Sequence, residues 1–384
     1  MRDFDFDTPV ERRGTNSYKW DSAEPGVIPM WVADMDFRTA PCVTEALERR
    51  ARHGIFGYVR VPQAYYDATT DWFASRHGWT INQSHIIYTS GVVPALSAII
   101  KALCPADSKV MVTTPVYNCF FSSIRNNGCI VADAPLELDG SRYCINWDKL
   151  ESTAADPDVK LMLLCNPHNP AGRVWMRKEL ERLRDVCRRH NVVVVSDEIH
   201  CELTFPGVDY VPYATVDPRA IVCCSPSKAF NIAGLQIANI VCPDAERREA
   251  IDRAININEV CDVGVFGVEA LIAAYRGGAQ WLDALREYIF ANYLTLREYF
   301  TKHLPELPVV EMEGTYLAWV DCRALGLGSE ELEERLIDTV KLWLNCGAMY
   351  GTDGFMRINM ACPRSVLLEG LNRLRQFVRE ENAR

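Results

Sequence analysis

The first residue with chemical potential is a lysine placed directly after an apolar run. The sequence Ser225-Pro226-Ser227-Lys228 follows Ala220-Ile221-Val222-Cys223-Cys224, and apolar residues continue on the other side of the lysine. Burial beside apolar residues lowers the pKa of a lysine amine, and the neutral amine is a nucleophile toward carbonyl groups. A lone lysine in a loop is more often a solvated cation, so this residue needs support from its neighbours.

Other polar residues follow apolar runs in the same way. They are Ser90-Gly91-Val92-Val93, Thr114-Pro115-Val116-Tyr117, Asn166-Pro167-His168-Asn169-Pro170 and Asp197-Glu198-Ile199-His200. Gly91 precedes a predicted helix from 94 to 103, and free N–H groups at a helix start bind phosphate, although a serine cap with a glycine turn has the same pattern. Asp197 is suited to hold a pyridine nitrogen protonated, but it also fits a helix cap or a nucleotide-hydrolysis strand.

The apolar runs predict the elements that position these residues. Continuous β-branched runs predict strands that are covered on both faces, as in a mostly parallel sheet between helices. The predicted strands are 85–89, 109–113, 160–165, 192–196, 220–224 and 238–242. Because ligands bind beyond the carboxyl ends of such strands, the polar residues should meet at one edge of an α/β domain.

The C-terminal part has a different pattern. A long helix is predicted from 280 to 303, then strands at 316–320 and 355–360 and helices at 330–344 and 364–380. This order favours a second, smaller α+β domain, and 384 residues exceed the size at which single cores usually stop growing. We expect residues 1–45 to form an N-terminal arm and part of the small domain, 46–284 the large domain, and 285–384 the small domain.

Composition excludes several function classes. A formal charge of −10 argues against a nucleic-acid partner, because phosphate neutralisation needs clustered Lys and Arg. The N-terminus has no apolar run of signal-peptide length and no run elsewhere has the length of a membrane span, so we expect a cytoplasmic protein without a membrane partner. The 15 cysteines are scattered without a Cys-x-x-Cys pair and are predicted to be reduced.

Seven motifs in order carry a resemblance over nearly the whole chain. They are MWVADMDF (30–37), FGYVRVP (56–62), NPHNPAGRVW (166–175), SDEIHCEL (196–203), SPSKAFNIAGLQ (225–236), GTYLAWVD (314–321) and MRINMACPR (356–364). The chain resembles the class I/II aminotransferases, which are fold-type-I enzymes that use pyridoxal 5'-phosphate. Within that family it is similar to the MalY/PatB-type branch of cystathionine and cysteine-S-conjugate β-lyases.

The resemblance implies a role for each matching residue. Lys228 would bind the cofactor aldehyde and act as the catalytic base, Asp197 would pair with the pyridine nitrogen, and Asn169 would hydrogen-bond the ring hydroxyl. His200 would lie near that hydroxyl, and Tyr117 would stack on the ring. The remaining implied residues are Gly91, Val92, Ser225 and Ser227 at the phosphate, Tyr58 at the phosphate of a neighbouring subunit in a homodimer, Arg357 at the substrate α-carboxylate, and Ala33, Tyr117 and Asn169 near the substrate.

The expected activity is a β-lyase that gives pyruvate, ammonia and a thiol from cystathionine, cysteine or related compounds. The same residues also serve an aminotransferase, and only the branch resemblance favours elimination. Gln236 stands where related aminotransferases carry a phosphate-binding arginine, and the loop 348–354 is shorter than usual, which loosens any inference about the side-chain pocket.

Three further hypotheses are weaker. A non-catalytic pyridoxal phosphate regulator would usually need an attached DNA-binding module, for which there is no room before Met30. A nucleotide hydrolase lacks its Gly-Lys phosphate loop. A zinc site from Cys165, His168, His200 and Cys201 is disfavoured because adjacent residues of an extended segment point to opposite sides, so no metal is predicted.

Overall fold

The computed structural model describes residues 4–257, 259 and 263–383. Its helices are α1 (Tyr18–Asp21), α2 (Pro41–His53), α3 (Gln63–His77), α4 (Val92–Leu103), α5 (Asn118–Asn126), α6 (Trp147–Ala154), α7 (Arg177–Arg189), α8 (Ala245–Asn256), α9 (Val265–Gly277), α10 (Ala279–His303), α11 (Ser329–Val340) and α12 (Arg364–Asn382). Its strands are β1 (Ile28–Pro29), β2 (Ile86–Thr89), β3 (Lys109–Val112), β4 (Ile130–Asp133), β5 (Glu137–Asp139), β6 (Arg142–Cys144), β7 (Val159–Cys165), β8 (Val193–Asp197), β9 (Ile221–Cys224), β10 (Ala238–Val241), β11 (Leu317–Asp321), β12 (Leu342–Trp343), β13 (Asn345–Cys346) and β14 (Phe355–Asn359).

The central sheet has seven strands in the order β2-β10-β9-β8-β7-β3-β4. All neighbouring pairs are parallel except those of β10, which is antiparallel to both β2 and β9. The expectation of an α/β domain with a mostly parallel sheet is therefore confirmed. The six predicted strands of this sheet all exist, with ends that differ by a residue or two.

The sheet is buried on both faces, as the continuous apolar runs predict. In β7, Leu161 and Leu163 pack into one core cluster, whereas Met162 and Leu164 pack into another on the opposite face. Successive side chains of a strand alternate between faces, so a run that is apolar at every position needs cover on both sides.

The C-terminal elements form a separate antiparallel sheet of β11, β14 and β13. The predicted helix at 330–344 is wrong at its C-terminal end, because α11 stops at Val340 and Lys341 takes a left-handed φ of +55°. Leu342 and Trp343 then form β12, which pairs in parallel with β1 of the N-terminal arm. The N-terminal arm thus pairs with the C-terminal elements, and the division into domains stays a prediction.

No helix in the described ranges is long and apolar enough to cross a membrane.

Candidate active site

A cavity of about 200 Å³ lies beyond the carboxyl ends of the parallel strands. It gathers residues that follow β2, β3, β7, β8 and β9, and Ala33 of the N-terminal arm. Its lining residues are Ala33, Ser90, Gly91, Val92, Val93, Pro94, Tyr117, Cys165, Asn169, Asp197, Ile199, His200, Ser227, Lys228, Ala233 and Ile237. The strand-end residues singled out in the sequence therefore meet in one place, as the parallel sheet requires.

Lys228 follows β9, and its partly buried amine donates a hydrogen bond of 2.5 Å to the carbonyl oxygen of Ala33. Burial and the nearby charge of Arg357 lower the pKa of Lys228 to about 8, against the opposing influence of Asp34 and Asp197. A substantial fraction of the amine is then neutral near pH 8, which is the state that a nucleophile or general base needs.

Asp197 is the last residue of β8 and is buried. Burial raises its pKa to about 7, and the neighbouring charge of Glu198 adds to this effect. In the described part of the chain, the hydrogen bond that its carboxylate accepts comes from the N–H of Ile199, at 3.1 Å. A buried carboxylate that accepts so few hydrogen bonds from the protein is suited to a cationic partner supplied by a ligand.

Asn169 and His200 complete the floor of the cavity. The Asn169 side-chain oxygen accepts a hydrogen bond of 3.2 Å from Arg357, and its N–H donates to the Cys165 sulfur at 3.3 Å. His200 is buried, and its Nδ1 atom has no hydrogen-bond partner among the described residues. Burial and the charges of Lys228 and Arg357 lower the pKa of His200 to about 3, so its ring is neutral.

One end of the cavity is formed by the start of α4. Gly91 occupies the N-cap position, and no side chain caps the helix. The N–H groups of the first turn have no acceptor within the helix, so this end is suited to an anion. Gly91, Val92 and Ser227 line it as expected, but Ser225 does not.

Ser225 lies outside the cavity lining and makes hydrogen bonds within its own loop. Its hydroxyl donates a hydrogen bond of 2.5 Å to the carbonyl of Ile237 and accepts one of 3.0 Å from the N–H of Ser227. With its proton used in this way, the side chain fixes the loop between β9 and β10. The geometry does not favour a direct phosphate contact, and that role stays a prediction.

Arg357 reaches the site from β14 of the other sheet. One Nη atom donates to Asn169 and the other to the carbonyl of Trp31, at 2.7 Å, while the guanidinium lies 4.9 Å from the ring centre of Tyr350. Its buried Nε atom has no partner among the described residues. A carboxylate is the usual partner of an unsatisfied guanidinium edge.

Tyr316 was not among the expected site residues. Its hydroxyl donates a hydrogen bond of 3.0 Å to the carbonyl oxygen of Ala33, which also accepts the hydrogen bond from Lys228. The motif GTYLAWVD contains it, but nothing in the spacing shows that a residue just before β11 reaches the end of β9.

Comparison with known proteins agrees with this geometry. The family model described as aminotransferase class I and II matches residues 25–374. The chain is 41% identical over 382 residues to the cystathionine β-lyase PatB of Bacillus subtilis, covering 96% of this chain and 98% of that protein.

Two solved structures are similar over nearly the whole chain. Cystalysin from Treponema denticola, which contains a pyridoxal 5'-phosphate cofactor, has a TM-score of 0.95 and 32% identity, with 98% of this chain and 99% of that chain covered. The pyridoxal phosphate-bound C-S lyase from Staphylococcus hominis has a TM-score of 0.91 and 32% identity, with 97% and 98% covered.

The chain belongs to the class I and II aminotransferase family. The family resemblance and the fold-type-I architecture are therefore confirmed. The roles of single residues within this aminotransferase fold stay predictions that the cavity supports.

Tyr58 lies outside the cavity of this aminotransferase-family chain, and 94% of its side-chain surface is exposed. It is not placed to contact a ligand of its own subunit, in keeping with its expected role in a neighbouring one.

The zinc hypothesis has little support in the structure. Within the described ranges, the His, Cys, Asp and Glu side chains that come within 4.8 Å of one another as a group of three are His77, Cys201 and Glu202. The Glu202 oxygens already accept hydrogen bonds from Trp72, Arg76 and His77.

Proposed function

We propose that this protein is a pyridoxal 5'-phosphate-dependent carbon-sulfur β-lyase. Its substrates would be cystathionine, cysteine or related S-substituted cysteines, and its products pyruvate, ammonia and a thiol. The observation that carries the proposal is the 41% identity to PatB over 96% of the chain. The cavity contains a partly neutral lysine, a buried carboxylate and a nearby arginine, which such a reaction needs.

The residues of the cavity fit the cofactor. The uncapped start of α4 offers N–H groups to a phosphate, and Asp197 offers a buried carboxylate to a ring nitrogen. The Nδ1 atom of His200, which has no partner among the described residues, and the amide of Asn169 are suited to polar groups on the ring edge. Lys228 is the amine that would bind the aldehyde. When bound, pyridoxal phosphate withdraws electrons from the substrate α-carbon.

The protein residues then orient the substrate and move its protons. Arg357 would receive the α-carboxylate on its free Nε edge, next to Asn169. Lys228, with a pKa of about 8, would remove the α-proton and is suited to return it to a leaving group. Asp197 would keep the ring nitrogen protonated by its negative charge.

Four finer statements belong to this proposal. The protein acts as a homodimer in which Tyr58 reaches the partner's phosphate, it needs neither nucleic acid nor membrane, and it works in the cytoplasm. Residues 46–284 form the large cofactor-binding domain, and 285–384 with part of 1–45 form the small domain.

The test is release of pyruvate from cystathionine without any added keto acid. Wild-type protein should form pyruvate, Lys228→Ala should lose at least about 10³-fold in rate, and the exposed control Lys302→Ala should keep wild-type activity. Borohydride reduction followed by peptide mapping should label Lys228. Strict dependence on a keto-acid acceptor would instead identify an aminotransferase.

A further inference from the structure

A short irregular segment, residues 31–37, lies between the two groups that would act on the substrate. We call it the strap. The carbonyl of Ala33 accepts a hydrogen bond of 2.5 Å from Lys228, and the carbonyl of Trp31 accepts one of 2.7 Å from Arg357. Backbone carbonyls of the strap therefore accept hydrogen bonds from the lysine in the loop after β9 and from the arginine on β14.

Asn359 holds the part of the strap around Ala33. It follows Arg357 by two residues on β14 and is buried. Its side-chain amide donates two hydrogen bonds of 2.6 Å, one to the carbonyl of Val32 and one to that of Asp34. Its side-chain oxygen accepts from the N–H of Ala361 at 2.8 Å. Both amide hydrogens are thus used on the two peptide units that flank the Ala33 carbonyl.

Asn231 holds the other end of the strap. It follows Lys228 by three residues and donates two hydrogen bonds of 2.9 Å, to the carbonyls of Met35 and Phe37. Its side-chain oxygen accepts from the N–H of Met35 at 3.0 Å. The lysine loop and the arginine strand therefore each carry an asparagine that fixes the same backbone segment.

Ion pairs hold the strap from its outer side. Arg12 contacts Asp34 and Asp36 at 2.7 Å each, and the almost fully buried Lys19 contacts Asp36 at 2.8 Å. Burial by itself would raise the pKa of Asp36, but the charge and hydrogen bonds of Lys19, with those of Trp20 and Arg12, lower it. Ion pairs with Arg12 and Lys19 therefore hold the strap on one side, and the side-chain amides of Asn359 and Asn231 hold it on the other.

We propose that Asn359 is a positioning residue for Lys228, holding the Ala33 carbonyl against the lysine amine, and that Asn231 supports the same carbonyl from the far end of the strap. This inference rests on the proposed role of Lys228 as the reacting amine. A carbonyl acceptor stabilises the protonated amine and so opposes the effect of burial and of Arg357. The strap would therefore tune the pH range in which Lys228 is a nucleophile.

The test is the pH dependence of Lys228 modification by trinitrobenzenesulfonate, followed by peptide mapping. It uses the full-length chain after removal of the cofactor with hydroxylamine. Asn359→Ala should lower the apparent pKa of Lys228 by about half to one pH unit, because the Ala33 carbonyl, the acceptor of the charged form, is no longer held against the amine. The charged and titratable groups around Lys228 all remain in this variant. They are Arg357, Asp34, Asp197 and Cys119, His200, and Tyr316, which shares the Ala33 carbonyl.

Asn292 provides a matched control. It is a buried asparagine on α10 that also donates two hydrogen bonds to carbonyls, those of Met360 and Cys362, at 3.0 and 2.9 Å. Asn292→Ala removes three side-chain hydrogen bonds, as Asn359→Ala does, but their partners, Met360, Cys362 and Arg364, lie outside the strap. It should lower thermal stability to a similar extent but leave the apparent pKa of Lys228 at the wild-type value.

The labelling needs neither substrate nor turnover, so it is informative even if pyruvate release fails. An unchanged apparent pKa in Asn359→Ala, or an equal shift in Asn292→Ala, would overturn the inference. If Asn359→Ala does not fold, Asn231→Ala carries the same test with the same expected direction. In the loaded enzyme, Asn359→Ala should also move the pH profile of kcat to lower pH by the same amount, which a general loss of stability would not do.

Discussion

At the residue scale, Asp197 shows how a site can be arranged at the expense of stability. Its pKa rises from an ordinary 3.8 to about 7 on folding, chiefly through burial. The folded chain therefore binds this proton more tightly than the unfolded chain does. Below pH 4 this group makes its full contribution to the free energy of unfolding. That contribution is lost as pH rises toward 7, and above pH 7 the folded protein contains a buried charge.

We predict that Asp197→Asn stabilises the cofactor-free protein at high pH. Asparagine has nearly the same shape and no charge, so Tm should exceed the wild-type value by about 2 °C or more at pH 8. The difference should shrink toward pH 5, where the aspartate is itself protonated. Differential scanning calorimetry across this range measures it, and a difference that is independent of pH would count against the argument. The same variant should bind pyridoxal phosphate more weakly.

Arg357 is the second residue whose loss has a defined signature. Arg357→Gln should lower kcat/KM for an amino-acid substrate by about 10²-fold or more, mainly through KM, because the carboxylate loses a charged, two-pronged partner. It should also raise the apparent pKa of Lys228, since a nearby like charge is removed. Steady-state kinetics and pH-dependent labelling measure the two effects.

Arg364 offers the control for this change. It ends the same MRINMACPR motif, but its guanidinium lies over Tyr288, 5.6 Å from the ring centre, and contacts Asn292. Arg364→Gln should leave KM near the wild-type value. An Arg357 variant with normal KM would refute the assignment of the carboxylate site.

At the element scale, Gly172 makes the Asn-Pro-x-Asn-Pro-x-Gly turn possible. Its φ is +67°, and an added Cβ would lie 2.7 Å from the Cβ of Met312. Its carbonyl accepts from the N–H of Glu313 at 2.7 Å, so the turn and the 312–314 segment approach closely. Only glycine meets both the backbone and the space requirement here.

We predict that Gly172→Ala lowers the free energy of unfolding by about 3 kcal/mol, combining left-handed strain with a clash. Gly207 has a similar φ of +81° with open space around it. Gly207→Ala should therefore cost only about 1 kcal/mol. Urea unfolding followed by tryptophan fluorescence compares the two, and equal losses would show that the contact with Met312 carries no cost.

The elements also show what the sequence can and cannot reveal. The strand ends could be predicted because buried parallel strands are apolar at every position, and a strand end fixes where Asp197 and Lys228 must lie. The end of α11 could not, because Lys341 is an ordinary helix former, whereas the chain after it pairs as β12 with the distant β1.

The strap illustrates the same limit at the site. The motif MWVADMDF could be recognised, but its contacts come from Asn231 and Asn359, which lie 196 and 327 residues away from the carbonyls of Met35 and Val32. Spacing along the chain carries no information on such contacts. The hydrogen bond of Ser225 could not be predicted for a related reason, because its partner Ile237 lies at the other end of a loop whose path depends on the whole sheet.

At the scale of the whole molecule, the segment between α2 and α3 exposes large apolar side chains to solvent. Between α2 and α3, Ile55, Phe56 and Tyr58 are 66%, 55% and 94% exposed. Three large apolar or aromatic side chains in four residues are unusual on a free surface and typical of a protein interface. Together with the expected reach of Tyr58 into a neighbouring site, this supports the proposed homodimer.

A mixing experiment tests whether Tyr58 acts across that interface. Tyr58→Asp should be nearly inactive because its charge repels the phosphate, and Lys228→Ala lacks the reacting amine. In a mixed dimer, the subunit with an intact Lys228 would receive an intact Tyr58 from its partner. Random reassociation makes half of the dimers mixed, with one working site of two, so activity should recover to about a quarter of wild type.

Tyr18 supplies the control, since it is a comparably exposed tyrosine, 72% accessible, on α1. Tyr18→Asp should be active alone and should gain nothing from mixing. Mass spectrometry of the intact dimers verifies that the Tyr58→Asp and Lys228→Ala proteins exchange subunits. If the mixed sample then shows only the sum of the two separate activities, Tyr58 does not act in the partner's site. Recovery to a quarter of wild-type activity requires that one active site takes its Lys228 from one subunit and its Tyr58 from the other.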